Sequence, residues 1–277
     1  MALVAANTLE QAEEAILHID VRYEELPGVY SIAEAMAEGA PLVHEDVHGN
    51  LLQHTFVRKG DVQEGFAKCK YIVENTYNTQ RVEHSYIEPE NSVAFLDENG
   101  VMNVCTSTQY VVRDRRQIAP VLGMPFNKVH VKAMTTGGGF GGKDDITTEI
   151  QAALLAQATG KPVKMVWTRK ESFICSTKRH PMELYIKTGC DEKGKLQAVE
   201  GVIRSDKGAY CSIGHFITKK SGLHLAGPYY VPNVWTDTYA YYTNNTICGP
   251  YRGFGILQAS FAHESNMEML AEKIGMD

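Results

Sequence analysis

Residues 135–144 read Thr135-Thr136-Gly137-Gly138-Gly139-Phe140-Gly141-Gly142-Lys143-Asp144, with five glycines in the six positions 137–142. No other stretch restricts the fold as much. Glycine carries no Cβ and visits positive φ freely, so this run suits a tight turn and is a poor strand or helix interior. A β-rich run, Val129 to Ala133, precedes it, and a helical stretch, Asp144 to Thr159 closed by Gly160, follows it. A strand–loop–helix unit with bare backbone N–H groups can cradle an anionic group.

The loop admits three readings. Gly137, Gly139 and Gly142 satisfy Gly-x-Gly-x-x-Gly, yet residues 151–170 hold no Asp or Glu to bind a ribose. Gly137 to Lys143 satisfies Gly-x₄-Gly-Lys, but Asp144 stands where a P-loop needs Ser or Thr for magnesium. A nucleotide-binding protein using Gly137–Lys143 therefore stays open, as does a purely structural assembly module that holds no cofactor. The third reading is a cofactor site, and it depends on the flanking motifs.

Thr8 with Gln11, Ser31 with Glu34, and Asp61 with Glu64 are helix starts. Val21 to Leu26 alternates as a strand, and Gly39 closes the second helix. Residues 44–55, polar and turn-rich, form a linker. Beyond it, strands are expected at Tyr71–Thr79, Ser92–Phe95, Val101–Thr106, Val163–Trp167, Met182–Lys187 and Leu196–Arg204. Helices are expected at Gln109–Leu122 and Gly255–Ile274. Hairpins mixed with helices define an α+β class with mixed sheets and packed helices. The division is 1–43 as the end of a small α+β domain, 44–55 as linker, and 56–277 as the main domain.

The net charge of −6 without a basic block argues against nucleic acid or an anionic membrane as partner. No apolar run approaches the roughly 20 residues a membrane helix needs, and the start is not a signal peptide. The six cysteines show no Cys-x-x-Cys spacing and read as buried free thiols of a cytoplasmic protein, not as an iron–sulfur or zinc site. His44, His48 and His54 have no spacing that would gather a metal.

Four segments in order carry a family resemblance: Glu83-His84-Ser85-Tyr86-Ile87-Glu88-Pro89, Thr106-Ser107-Thr108-Gln109, the loop Gly137–Lys143, and Tyr251-Arg252-Gly253-Phe254-Gly255. Together they resemble the xanthine dehydrogenase and aldehyde oxidase family of molybdenum hydroxylases, over essentially all 277 residues. The resemblance implies the first molybdopterin-binding domain, with 1–43 the remnant of a hammerhead-like domain. It implies molybdenum held by molybdopterin, with the cytosine dinucleotide form as one candidate. Gln109 matches the glutamine whose amide faces the apical oxo ligand. Gly139, Phe140, Gly141 and Arg252 match cofactor-binding positions, and no side chain of this chain is expected to ligate the metal. Asp144, Lys220 and Phe254 match substrate-binding positions, although purine oxidisers carry Glu and Arg at the first two. Gly253 replaces the copper-binding cysteine of the carbon monoxide dehydrogenase branch.

The resemblance further implies oxidation of an N-heterocycle or aldehyde with water as oxygen source. It places the general-base glutamate in a second molybdopterin-binding half, outside this sequence, so the chain alone is expected to be inactive. Iron–sulfur clusters and FAD are expected on other domains or subunits. On this basis the chain is expected to be a piece of a longer polypeptide or a split-gene subunit.

Overall fold

The computed structural model describes residues 2–276. In chain order the elements are α1 (Leu9–Leu17), α2 (Ile32–Met36), β1 (Leu51–Lys59), α3 (Val62–Ala67), β2 (Tyr71–Thr79), β3 (Asn91–Leu96), β4 (Met102–Thr106), α4 (Val111–Val121), β5 (Val129–Ala133), α5 (Glu149–Thr159), β6 (Val163–Val166), α6 (Arg169–Cys175), β7 (Met182–Cys190), β8 (Leu196–Asp206), α7 (Gly214–Leu223), β9 (Asn233–Tyr241) and α8 (Ile256–Ile274). They form two compact units. One comprises residues 1–26 and 84–176, the other 27–83 and 177–277.

The first unit is built on a four-stranded sheet of order β5-β4-β3-β6. β3 and β4 form an antiparallel hairpin. Its turn is set by Asp97, whose Oδ1 accepts the N–H groups of Asn99 and Val101, and by Gly100 at φ +68°. β5 joins β4 in parallel, so the chain must cross over, and α4 makes that crossover. Ala94, Met102 and Val104 of the hairpin meet Ile118 of α4, Val129 and Val131 of β5, and Ala152, Ala153 and Ala156 of α5 in one core. The small residues on α5 let the helix lie close to β3.

The second unit is built on a five-stranded sheet of order β1-β9-β8-β7-β2. Only β8 and β9 run parallel, and α7 lies in the connection between them. Met182, Leu184 and Ile186 of β7, Val199 and Ile203 of β8, Ile217 of α7, and Ala259 and Ala262 of α8 share its core.

Several expectations change. Val21–Leu26 forms no strand: Val21, Tyr23 and Leu26 are exposed, and an alternating pattern without a partner ladder buries nothing. Residues 44–55 are not all linker, because β1 starts at Leu51 and pairs antiparallel with β9. Its polar residues His54 and Arg58 are tolerated because the face they share with the exposed Phe56 stays wet, and Thr55 on the other face bonds the Thr238 hydroxyl. Pro27–Val43 belongs to the second unit, where Val29 and Ala35 pack with Tyr241 and the Val29 N–H donates to Asn244 Oδ1 at 2.8 Å. The stretch 56–277 divides between both units. α5 begins at Glu149, five residues after Asp144, since residues 141–148 are still turning. Of the six cysteines, expected to be buried, Cys175 and Cys211 are exposed.

The first core sets a stability expectation. Ile118→Ala should cost about 3 kcal/mol, the usual range for a truncated buried aliphatic side chain, read from the urea midpoint. A loss below about 1 kcal/mol would show that α4 is not held by this core.

Candidate functional site

The glycine loop is held from below by a charge pair. Lys143 is 2% exposed, and its Nζ donates to Glu88 Oε2 at 2.7 Å. The same oxygen accepts the Gly137 N–H at 2.6 Å, and the Glu88 N–H donates to Gly137 O at 3.2 Å. Glu88 thus ties the first residue of the loop to the last. The Tyr86 ring lies beneath, 4.9 Å from Lys143 Nζ, and its hydroxyl donates to Glu90 Oε1. Burial works to raise the Glu88 carboxyl, but hydrogen bonds from Lys143, Gly137 and Asn91 and the Lys143 charge outweigh it and hold it at about 2.

Two glycines leave no choice of residue. A Cβ on Gly139 would collide with Gln109 Oε1, and one on Gly142 would lie 2.6 Å from the Tyr86 ring and 2.9 Å from the His84 ring. Phe140 takes φ +53°, costly for a bulky side chain, and Gly141 takes φ +105°. Phe140 is 51% exposed, so it is not a core aromatic.

Gln109 stands just ahead of α4. Its backbone N–H donates to Lys143 O at 2.8 Å, and its side-chain oxygen accepts the Gly141 N–H at 2.9 Å. A backbone N–H can only donate, so the atom facing it is the amide oxygen. The amide N–H pair is then the end that a bound group can meet.

Asp144 is not a free acid and not a helix-start carboxylate. Its Oδ2 accepts Arg113 Nη1 at 2.6 Å, and its carbonyl accepts the same nitrogen at 3.2 Å. Sequence reasoning missed Arg113, and it missed Glu88 and Tyr86 as loop supports although it quoted the motif containing them.

Lys220, Arg252 and Phe254 lie in the second unit. Lys220 is in the last turn of α7, with Nζ 5.5 Å from the Phe254 ring centroid. Phe254, at φ +51°, sits in a turn closed by its N–H donating to Tyr251 O at 2.7 Å. Gly255 is pressed against Ile217 O and Ser221 Oγ, which fixes this turn on α7. Arg252 is exposed and makes no ion pair among the described residues. The structure therefore gathers Gln109, Gly139, Phe140, Gly141 and Asp144 in one unit, and Lys220, Arg252 and Phe254 in the other. Among the described residues no group of three or more His, Cys, Asp or Glu could hold a metal ion.

The loop fits a bulky bound group better than a nucleotide phosphate. The Lys143 ammonium that a P-loop reading needs is buried against Glu88. Phe140 and Gly141 instead pair positive-φ backbone with the Gln109 amide.

Comparison with known proteins gives the family. The chain belongs to the molybdopterin cofactor-binding domain family, which matches residues 43–277. It is 43% identical over its full length to the nicotinate dehydrogenase large molybdopterin subunit of Eubacterium barkeri, and spans 65% of that protein. It is 41% identical to a probable xanthine dehydrogenase subunit of Bacillus subtilis, and spans 37% of it. Among solved structures, the aldehyde oxidoreductase of Desulfovibrio gigas superposes with a TM-score of 0.95 at 31% identity, over 98% of this chain and 30% of that one. The chain thus covers less than two thirds of these relatives. No helix among the described residues is long and apolar enough to cross a membrane.

The Glu88–Lys143 pair generates a prediction. Glu88→Gln strands a buried ammonium and should cost about 3 kcal/mol at neutral pH. The folded carboxyl titrates at about 2, below the unfolded value of about 4.3. The pair's stabilisation is therefore complete above the unfolded value and is lost as pH falls toward the folded one. Chemical denaturation across that acid range should show Glu88→Gln less acid-sensitive than the parent. Parallel curves would contradict the pairing.

Proposed function

We propose that this chain forms part of the cofactor site of a cytoplasmic molybdenum hydroxylase that oxidises an N-heterocycle or an aldehyde with water as oxygen source. The observation that carries the reading is Gln109. Its amide oxygen is committed to the Gly141 N–H, so its N–H donors are the end of the amide left to a bound group, beside the positive-φ backbone of Phe140 and Gly141. In this reading Gly139, Phe140 and Gly141 hold molybdopterin, or its cytosine dinucleotide form, through their backbone, and Arg252 adds a second contact from its own turn. The molybdenum centre, when bound, supplies the two-electron oxidation.

The residues of this chain position and tune. Gln109 offers an uncharged donor, which steadies an oxygen ligand without adding a charge to the site. Phe254 offers an aromatic face to a flat substrate ring, and Lys220, with Nζ 5.5 Å from the Phe254 ring centroid, offers a cation beside it. The Asp144 carboxylate is engaged by Arg113, so a lone acid of the kind that binds purines is not presented, and a substrate other than xanthine is favoured. Proton removal falls to a base outside this chain. The partners are a second molybdopterin-binding half and iron–sulfur and flavin units that carry the electrons away; nucleic acid and membrane have no part.

The test is to isolate the native complex through this chain from its own host and to measure molybdenum and pterin. About one of each per chain is expected, as the cofactor carries the hard chemistry. Gln109→Ala in that complex should keep the pterin and lower hydroxylation at least about tenfold. An intact complex without molybdenum or pterin would overturn the reading.

A further inference from the structure

Arg113, in the first turn of α4, is held at the same end of the glycine loop as Gln109. The two residues stand four positions apart across the head of the helix, and both bond to the end of the loop. The Gln109 N–H donates to Lys143 O at 2.8 Å. Arg113 Nη1 donates to Asp144 O at 3.2 Å and to Asp144 Oδ2 at 2.6 Å. α4 also packs on β5, the strand from which the loop departs. A guanidinium is therefore fixed where the loop ends.

The anchoring uses one corner of that guanidinium. Asp144 takes Nη1, and the nearest approach of Asp145 is also to Nη1, at 3.7 Å. Among the described residues, Arg113 Nε and Nη2 make no hydrogen bond, and they are not buried orphans of the kind found at Arg81, Arg169 and Arg179. The side chain keeps 21% of its surface exposed. Its guanidinium carbon lies 4.8 Å from the centroid of the Tyr110 ring, which is itself exposed. Nε–H and one Nη2–H form a planar fork that matches the two oxygens of a carboxylate.

We infer that Arg113 is a specificity-determining residue whose Nε–Nη2 edge binds the carboxylate of a flat heterocyclic substrate. Asp144 is its positioning residue. By holding Nη1 with both its carbonyl and its carboxylate, Asp144 presets the fork, so less side-chain freedom is lost when a substrate binds. A neutral carbonyl would engage the fork with one oxygen. A carboxylate engages it with two, and charge-assisted bonds are about twice as strong as neutral ones. The substrate class narrows accordingly to an N-heterocycle that carries a ring carboxylate.

The charges around the fork bear on this choice. Asp144 and Asp145 approach on the Nη1 side. The pairing therefore draws on fork geometry and not on an excess of positive charge. Of the two charged residues at substrate-binding positions, Asp144 is engaged by Arg113, and Lys220, in the second unit, is a cation. Neither presents a free carboxylate, so nothing at those positions is arranged to meet a cationic or donor-rich substrate.

The inference rests on the reading that this chain serves a molybdenum hydroxylase, and the experiment keeps the two apart. Binding is read without turnover, by saturation-transfer NMR of the native complex with benzoate, which has no ring nitrogen, and with its neutral isostere benzamide. Arg113→Gln should weaken benzoate at least about tenfold, the worth of hydrogen bonds to a charged group, and benzamide much less. Turnover is read in the same complexes with pyridine-3-carboxylate and pyridine-3-carboxamide. The loss in Arg113→Gln should be larger for the carboxylate and fall on KM, not on kcat. Arg113→Lys keeps the charge beside Asp144 but lacks the fork, and should recover only part of the binding. A parent complex that does not bind benzoate, or equal losses for charged and neutral rings, overturns the inference and leaves Arg113 a structural partner of Asp144. A parent complex that oxidises the carboxamide as readily as the carboxylate, or neither ring, overturns the substrate class. Benzoate binding that depends on Arg113 in a complex without molybdenum overturns the hydroxylase reading, while the carboxylate site stands.

Discussion

Everything at the glycine loop depends on one ion pair, the buried Lys143 ammonium with the half-buried Glu88 carboxylate. Five glycines in six positions give a chain with large backbone entropy, and such a loop adopts a single shape only if its ends are fixed. Glu88 fixes both, taking the Gly137 N–H and the Lys143 ammonium on one oxygen. The remaining contacts refine that shape. Tyr86 and His84 floor Gly142, while Gln109 fills the space a Cβ on Gly139 would need and takes the Gly141 N–H. Between these fixed points, positive-φ backbone is left at Gly138, Phe140 and Gly141.

The fold supplies the fixed points. Glu88 and Tyr86 lie in the segment leading into β3, Gln109 lies between β4 and α4, and the loop follows β5. Pairing of β3, β4 and β5 in one sheet brings these three connections to a common end. Loops grouped in this way on a packed scaffold are where sites are commonly built. α4 and α5 are held by the alanine-rich core, so Gln109 at the head of α4 is referenced to the sheet and not to a mobile segment.

Local signals read well from the residues alone. Thr8, Ser31 and Asp61 cap their helices as their spacing implies. Tyr71–Thr79 is a strand within those limits, because its alternation is paired along its whole length with β7. What failed was non-local. Val21–Leu26 has the alternation of a strand but no neighbour, and Leu51–Thr55 looks like linker until β9 lies beside it. At the site, the glycine motif and the order of its companion motifs pointed to the cofactor family, which the residue 43–277 match shows. The supports were not legible. Nothing in the spacing of Glu88 and Lys143 says that they meet, and Arg113 and Asp144, 31 positions apart, meet only once α4 is laid on the sheet.

The most direct test of this account is a structure of the cofactor-loaded native complex at a resolution that shows side-chain amides. The account predicts a pterin cofactor against the Phe140–Gly141 backbone, the Gln109 amide nitrogen turned to its metal end, and Lys143 still on Glu88. A cofactor bound elsewhere, or a phosphate in the loop with Lys143 withdrawn from Glu88, would contradict it.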